Sequence, residues 1–134
     1  MANSNNYNPL GTDGFEFVEY TAANEEGIKA LKHLFSSLGF AEVAEHKSKR
    51  VWLYRQGDIN FIVNAEPASQ AEEFARLRGP SVCGMAFRVK DARAAIEHAK
   101  QHGGKEFHGN LGSPLTDLWA ILLLVVIIYK TIGE

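Results

Sequence analysis

The order in which hydrophobic periods follow one another is what most constrains this chain. Phe15-Glu16-Phe17-Val18-Glu19-Tyr20 alternates apolar and acidic side chains, which sorts them onto the two faces of a half-buried strand. Asn24 then stands at a helix cap position, with Glu25 and Glu26 in a first turn whose partial positive charge favours them. Ile28, Leu31, Phe35 and Leu38 return at helical spacing and give that helix one apolar face, and Gly39 ends it. Extended segments follow: a mixed strand over 41–47, the β-formers Val51-Trp52-Leu53-Tyr54, and Ile59–Asn64 beyond a tight turn at Gln56-Gly57-Asp58. Ser69-Gln70-Ala71-Glu72 is a capping box that opens a short helix to about Arg78. After Gly79-Pro80 the order starts again. Ser81–Val89 reads as a strand, Asp91 as a cap, and Ala92, Ala95, Ile96 and Ala99 as a small-residue helix face closed by Gly103-Gly104. Lys105–His108 begins another extended segment.

Two βαβββ modules, at about 15–78 and 79–134, with their sheets side by side in one α+β domain, account for this order. Residues 1–14 are expected to form a flexible polar arm. Leu118–Tyr129 is an uninterrupted apolar run of twelve residues, and a membrane-spanning helix needs roughly 20. The run is therefore expected to supply the last strands of the second module rather than an anchor.

A length of 134 residues allows a real core, and a net charge of −2 lacks the basic excess that a nucleic-acid surface requires. The amino terminus has neither a basic nor an apolar signal region, and the single cysteine excludes an internal disulfide framework. Both fit a reducing compartment, and a cytoplasmic location is expected.

Candidate chemistry is sparse. His98 and His102 stand four residues apart on one helix face and could hold a metal, but they lack the intervening glutamate of a metalloprotease helix. Histidine in a last turn also suits the helix dipole without any ligand. His46 lies among Glu45, Lys47, Lys49 and Arg50 and reads as a solvated strand end, His108 as a loop residue, and His33 as surface. Lys47, Lys49 and Arg50 beside Trp52 and Tyr54 are read as a solvated hairpin face before an anion site. Glu16 and Glu19 occupy even and odd positions of one strand, so alternation sends them to opposite faces and makes them a poor acid–base pair. Glu19 alone is placed to project onto the concave side of a curved sheet. Cys83 has no basic neighbour in sequence and reads as a buried structural cysteine.

The stretch GPSVCGMAFRVKD, residues 79–91, resembles a run in the N-terminal domain of the bacterial 4-hydroxyphenylpyruvate dioxygenase family. NPLGTDGFEFVEY at 8–20, LGFAEVAEHKSKRVWLYRQGDINFIVN at 38–64 and the NAEP that follows extend the likeness, which covers roughly residues 8–115. The resemblance implies the vicinal-oxygen-chelate, glyoxalase-like architecture of paired βαβββ modules. It also implies the family reaction of tyrosine catabolism, in which non-haem Fe(II) and O₂ convert 4-hydroxyphenylpyruvate to homogentisate and CO₂. In the family the iron ligands, two histidines and a glutamate, belong to the C-terminal domain. No position here matches a ligand motif, so no catalytic, cofactor-binding or metal residue is carried over. The resemblance thus implies a domain inactive by itself, binding no iron, with a homo-oligomer or a catalytic C-terminal domain as its partner.

The tail departs from the family. Leu118-Trp119-Ala120-Ile121 keeps a trace of the family's pattern, but apolar residues 122–128 replace its glycine-rich turn. Three rival readings are a free-standing metalloenzyme of this superfamily, with ligands drawn from Glu19, His46, His98 or His108, a metal-free small-ligand-binding protein, and a chain whose apolar run at 118–129 docks weakly on a membrane or a partner.

Overall fold

A computed structural model describes residues 7–105 and 123–124 of the chain. β1 (Thr12–Thr21) leads into α1 (Glu25–Ser37), then β2 (Ala41–Glu45), β3 (Val51–Gln56) and β4 (Ile59–Asn64). These elements make the first βαβββ module. α2 (Gln70–Arg78) connects to β5 (Ser81–Val89), α3 (Ala92–Gln101) and the two-residue β6 (Leu123–Leu124). The sheet order is β2-β3-β4-β1-β5-β6. β1 runs parallel to β4 and antiparallel to β5, so it joins the first four strands to β5.

Local chemistry sets the element boundaries. Asn24 caps α1 by accepting from the Gly27 N–H at 2.8 Å, and Gly39 leaves the helix at φ 93°, a region open to glycine. Asp91 caps α3 through the Ala94 N–H. In the Ser69 capping box, Oγ accepts from Glu72 N–H while the Glu72 carboxylate accepts from the Ala68 N–H. Gly57-Asp58 forms the two-residue β3–β4 turn, with Gln56 paired to Ile59.

Between α1 and the sheet lies an aromatic core. Phe35, almost fully buried, meets the rings of Tyr20, Phe40, Tyr54 and Phe61 at centroid distances of 4.9, 6.1, 5.7 and 5.0 Å. Phe17, Val51, Ile62 and Ala86 cluster on the opposite face, and Val89 packs with Ala95 beneath α3.

Three expectations need correction. Leu38, assigned to the apolar face of α1, is 57 % exposed, because the helix ends at Ser37 and Leu38 is its C-cap. β2 stops at Glu45 rather than 47, where His46 turns the chain. β1 begins at Thr12, three residues before the alternation starts. The segment 106–108, the tail except Leu123–Leu124, and residues 1–6 of the amino-terminal arm lie outside the described residues, whereas Thr12–Gly14, expected in the arm, belong to β1.

Candidate functional site

β1 occupies the middle of the sheet, and its residue Glu19 sits opposite Ile62 of β4 and Gly84 of β5. Alternation puts Tyr20 on the α1 side and Glu19 on the face of Phe17 and Ile62. There Asn64 Nδ2 donates to Glu19 Oε1 at 2.6 Å, and Asn64 Oδ1 accepts from the Glu66 N–H at 2.9 Å. Asn64 is wholly buried and is held on both sides. Gly84 makes room for the carboxyl, since a Cβ there would come within 3.0 Å of Glu19 Oε2.

Burial raises the Glu19 carboxyl above its ordinary pKa; the hydrogen bond from Asn64 pulls it down, but by less. Cys83, beside it on β5, is half-buried rather than buried, and its thiol donates to the Glu19 carbonyl oxygen at 3.6 Å. Desolvation first, then the Glu19 charge, push that thiol well above its usual range. The pair therefore offers a carboxyl with a raised pKa and an unreactive thiol. Such a group can exchange hydrogen bonds with a neutral polar ligand, but it does not constitute a nucleophile–base couple.

The other candidates have structural work. His46 Nδ1 accepts from the backbone N–H groups of Ser48 and Lys49 at 3.1 and 3.0 Å, which folds the β2–β3 connection. Arg50 pairs with Glu25, and its N–H donates to Glu66 Oε2 at 2.8 Å. Lys32 Nζ lies 3.3 Å above the Trp52 ring and Arg50 Cζ 5.9 Å from it, so of the basic cluster Arg50 faces an aromatic ring and a carboxylate. The Tyr54 hydroxyl donates to Glu42 at 2.8 Å. Glu16 binds Arg88 Nε at 2.8 Å. A register shift between Phe15 and Phe17 makes Glu16 an extra residue in β1, so simple alternation does not carry from Glu16 to Glu19. The two carboxylates still have separate partners.

His33 is exposed on α1, and His98 and His102 stack at the end of α3. Among the described residues no three His, Cys, Asp or Glu side chains converge as a metal group, so a set built from Glu19, His46 and His98 is not assembled; His108 lies outside them. Sequence reasoning missed Asn64, Gly84 and Lys32. Only the run of Asn60 and Asn64 in a strand, where asparagine is uncommon, signalled a polar partner.

A family model described as hydroxyphenylpyruvate dioxygenase, HPPD, N-terminal, matches residues 6–123. The chain belongs to this family. It is 71 % identical over 105 residues to hemolysin VllY of Vibrio vulnificus, covering 78 % of this chain and 29 % of that protein. It is 48 % identical over 114 residues to 4-hydroxyphenylpyruvate dioxygenase of Pseudomonas aeruginosa, covering 84 % of this chain and 32 % of that one. The chain thus spans about a third of the length of these curated relatives. A solved xylose isomerase-like TIM barrel/4-hydroxyphenylpyruvate dioxygenase fusion protein superposes with a TM-score of 0.71 at 44 % identity, covering 76 % of this chain and 16 % of that one. The α+β, glyoxalase-like fold expected from the sequence is the one observed.

Among the described residues no helix is long and apolar enough to cross a membrane.

Proposed function

We propose that this chain acts as the N-terminal, supporting domain of a 4-hydroxyphenylpyruvate dioxygenase-like enzyme and does not catalyse the reaction by itself. The observation that carries this reading is the match of residues 6–123 to the family's N-terminal domain. Its modular character is supported by relatives about three times longer and by the superposition on one part of a larger fusion protein. The name hemolysin belongs to a relative of which this chain covers 29 %, and it does not alter the assignment.

The family's iron does not fit the described residues. A two-histidine, one-carboxylate site needs imidazoles converging on a carboxylate. Glu19 instead has an amide donor on one oxygen and a glycine beneath the other. His46 spends Nδ1 on a turn. What the domain contributes is one continuous sheet, in which the β1–β5 pairing joins the two halves and the Glu19–Asn64 hydrogen bond ties β1 to β4. A catalytic C-terminal domain and a second copy of the chain are its proposed partners, and the cytoplasm its proposed compartment.

A chimera tests this role. Residues 8–115 replace the matching region of the Pseudomonas aeruginosa dioxygenase, and conversion of 4-hydroxyphenylpyruvate is followed. Retained turnover is expected. A folded chimera without turnover would show that this domain is not interchangeable with its relative and would overturn the assignment.

A further inference from the structure

One helical turn on α3 brings two histidines face to face. The His98 and His102 ring centroids are 4.3 Å apart, with 28° between the planes. His102 Nδ1 lies 2.8 Å from the His98 carbonyl oxygen. A carbonyl can only accept, so Nδ1 carries a proton, and in the neutral ring the lone pair is then on Nε2. An imidazole whose one nitrogen donates to a backbone carbonyl is in the state and orientation that metal-binding histidines adopt. His102 is exposed and His98 half-buried, so a cation reaches them without opening the core. The C-terminal end of α3 adds a partial negative charge that favours a cation.

We propose that His98 and His102 form a two-imidazole site for a late first-row divalent cation of the Zn²⁺, Ni²⁺ and Cu²⁺ class. Metal–imidazole bonds of about 2.0–2.1 Å place two neighbouring donors roughly 3 Å apart on the ion. The rings stack with their centroids 4.3 Å apart, so the two imidazoles lie side by side on one helical turn. Imidazole nitrogen selects this class over Mg²⁺ and Ca²⁺, which take oxygen ligands. Among the described residues no third His, Cys, Asp or Glu completes the set. Binding clasps the last turn of α3, including its C-cap His102, and stabilises the fold by an amount that grows with the logarithm of free metal above Kd. The site lies on a different element from Glu19 and is independent of the dioxygenase reading.

Calorimetric titration of the full, tag-free chain with CuCl₂, NiCl₂ and ZnCl₂ tests the site, alongside His98→Gln, His102→Gln and the control His33→Gln. One equivalent is expected, tightest for Cu²⁺, and weakened about tenfold or more by loss of either imidazole, since the second ligand binds as an intramolecular event. The control should match the parent, and circular dichroism should show α3 intact in all variants. Unchanged affinity in His98→Gln or His102→Gln, equal weakening in His33→Gln, or no binding by the parent at millimolar metal would each overturn the proposal.

Discussion

Gly27→Ala sets two known effects against each other at the start of α1. In an open helix interior this exchange gains about 1 kcal/mol, because glycine loses more backbone entropy on folding. At Gly27 an added Cβ would lie 2.6 Å from the Ala22 Cβ, 3.4 Å from the Asn24 Oδ1 that caps the helix, and 3.8 Å from Pro80 Cγ. Carbon atoms rest about 3.5–4.0 Å apart, so the two methyl carbons overlap by roughly 1 Å. Neither can rotate away, since both are fixed to backbone. Overpacking of this kind costs about 1–3 kcal/mol, and a disturbed cap adds about 1 kcal/mol. The clash wins. The variant should be less stable by roughly 1–3 kcal/mol in urea unfolding followed by fluorescence of the buried Trp52. Combining it with Ala22→Gly removes the opposing methyl. The double variant should then fall short of the sum of the single losses by about 1 kcal/mol or more. Stabilisation by Gly27→Ala, or strict additivity of the pair, would refute the packing argument.

Phe35→Ala should cost about 3–5 kcal/mol in the same assay, because the ring is 2 % exposed and meets four other aromatic rings; a loss below about 1.5 kcal/mol would mean that the α1 core is loosely packed. For Glu19, burial raises the folded-state pKa, so between the unfolded and folded values the native state holds more protons and stability falls as pH rises. Glu19→Gln keeps an acceptor for Asn64 without that charge. Its stability relative to the parent should therefore grow from acid towards neutral pH and then level off, and a difference that shrinks with pH would contradict the assigned cause. Cys83 should react with iodoacetamide at pH 8 at least about tenfold more slowly in the native chain than in urea, as its thiol is pushed up by burial and by Glu19; equal rates would place it in an open, electropositive setting.

Many of the element boundaries were legible because their signals are local. Asn24, Ser69 and Asp91 announce helix starts within three residues of the N–H groups they satisfy, and Gly57-Asp58 announces its hairpin. The apolar spacing of Ile28, Leu31 and Phe35 likewise needs only one helix to be read. The Glu19–Asn64 bond was hidden because it joins residues 45 positions apart on strands that pair in parallel. The bulge at Glu16 was hidden for a related reason. It exists only in the register of β1 against β5, where Phe15 faces Phe87 and Phe17 faces Ala86, and nothing in β1 alone marks it. His46 looked like one more polar residue in a charged run, whereas its place depends on backbone N–H groups turning back towards Nδ1. The family resemblance named the architecture and left these contacts unassigned.

The central claim is that this chain supports the dioxygenase reaction without performing it. Oxygen uptake by the purified chain with 4-hydroxyphenylpyruvate, Fe(II) and ascorbate, with homogentisate followed in parallel, addresses it most directly. No substrate-dependent uptake and no homogentisate are expected. Substrate-dependent uptake that yields homogentisate would mean that this chain builds a working iron site, and the supporting role would fall.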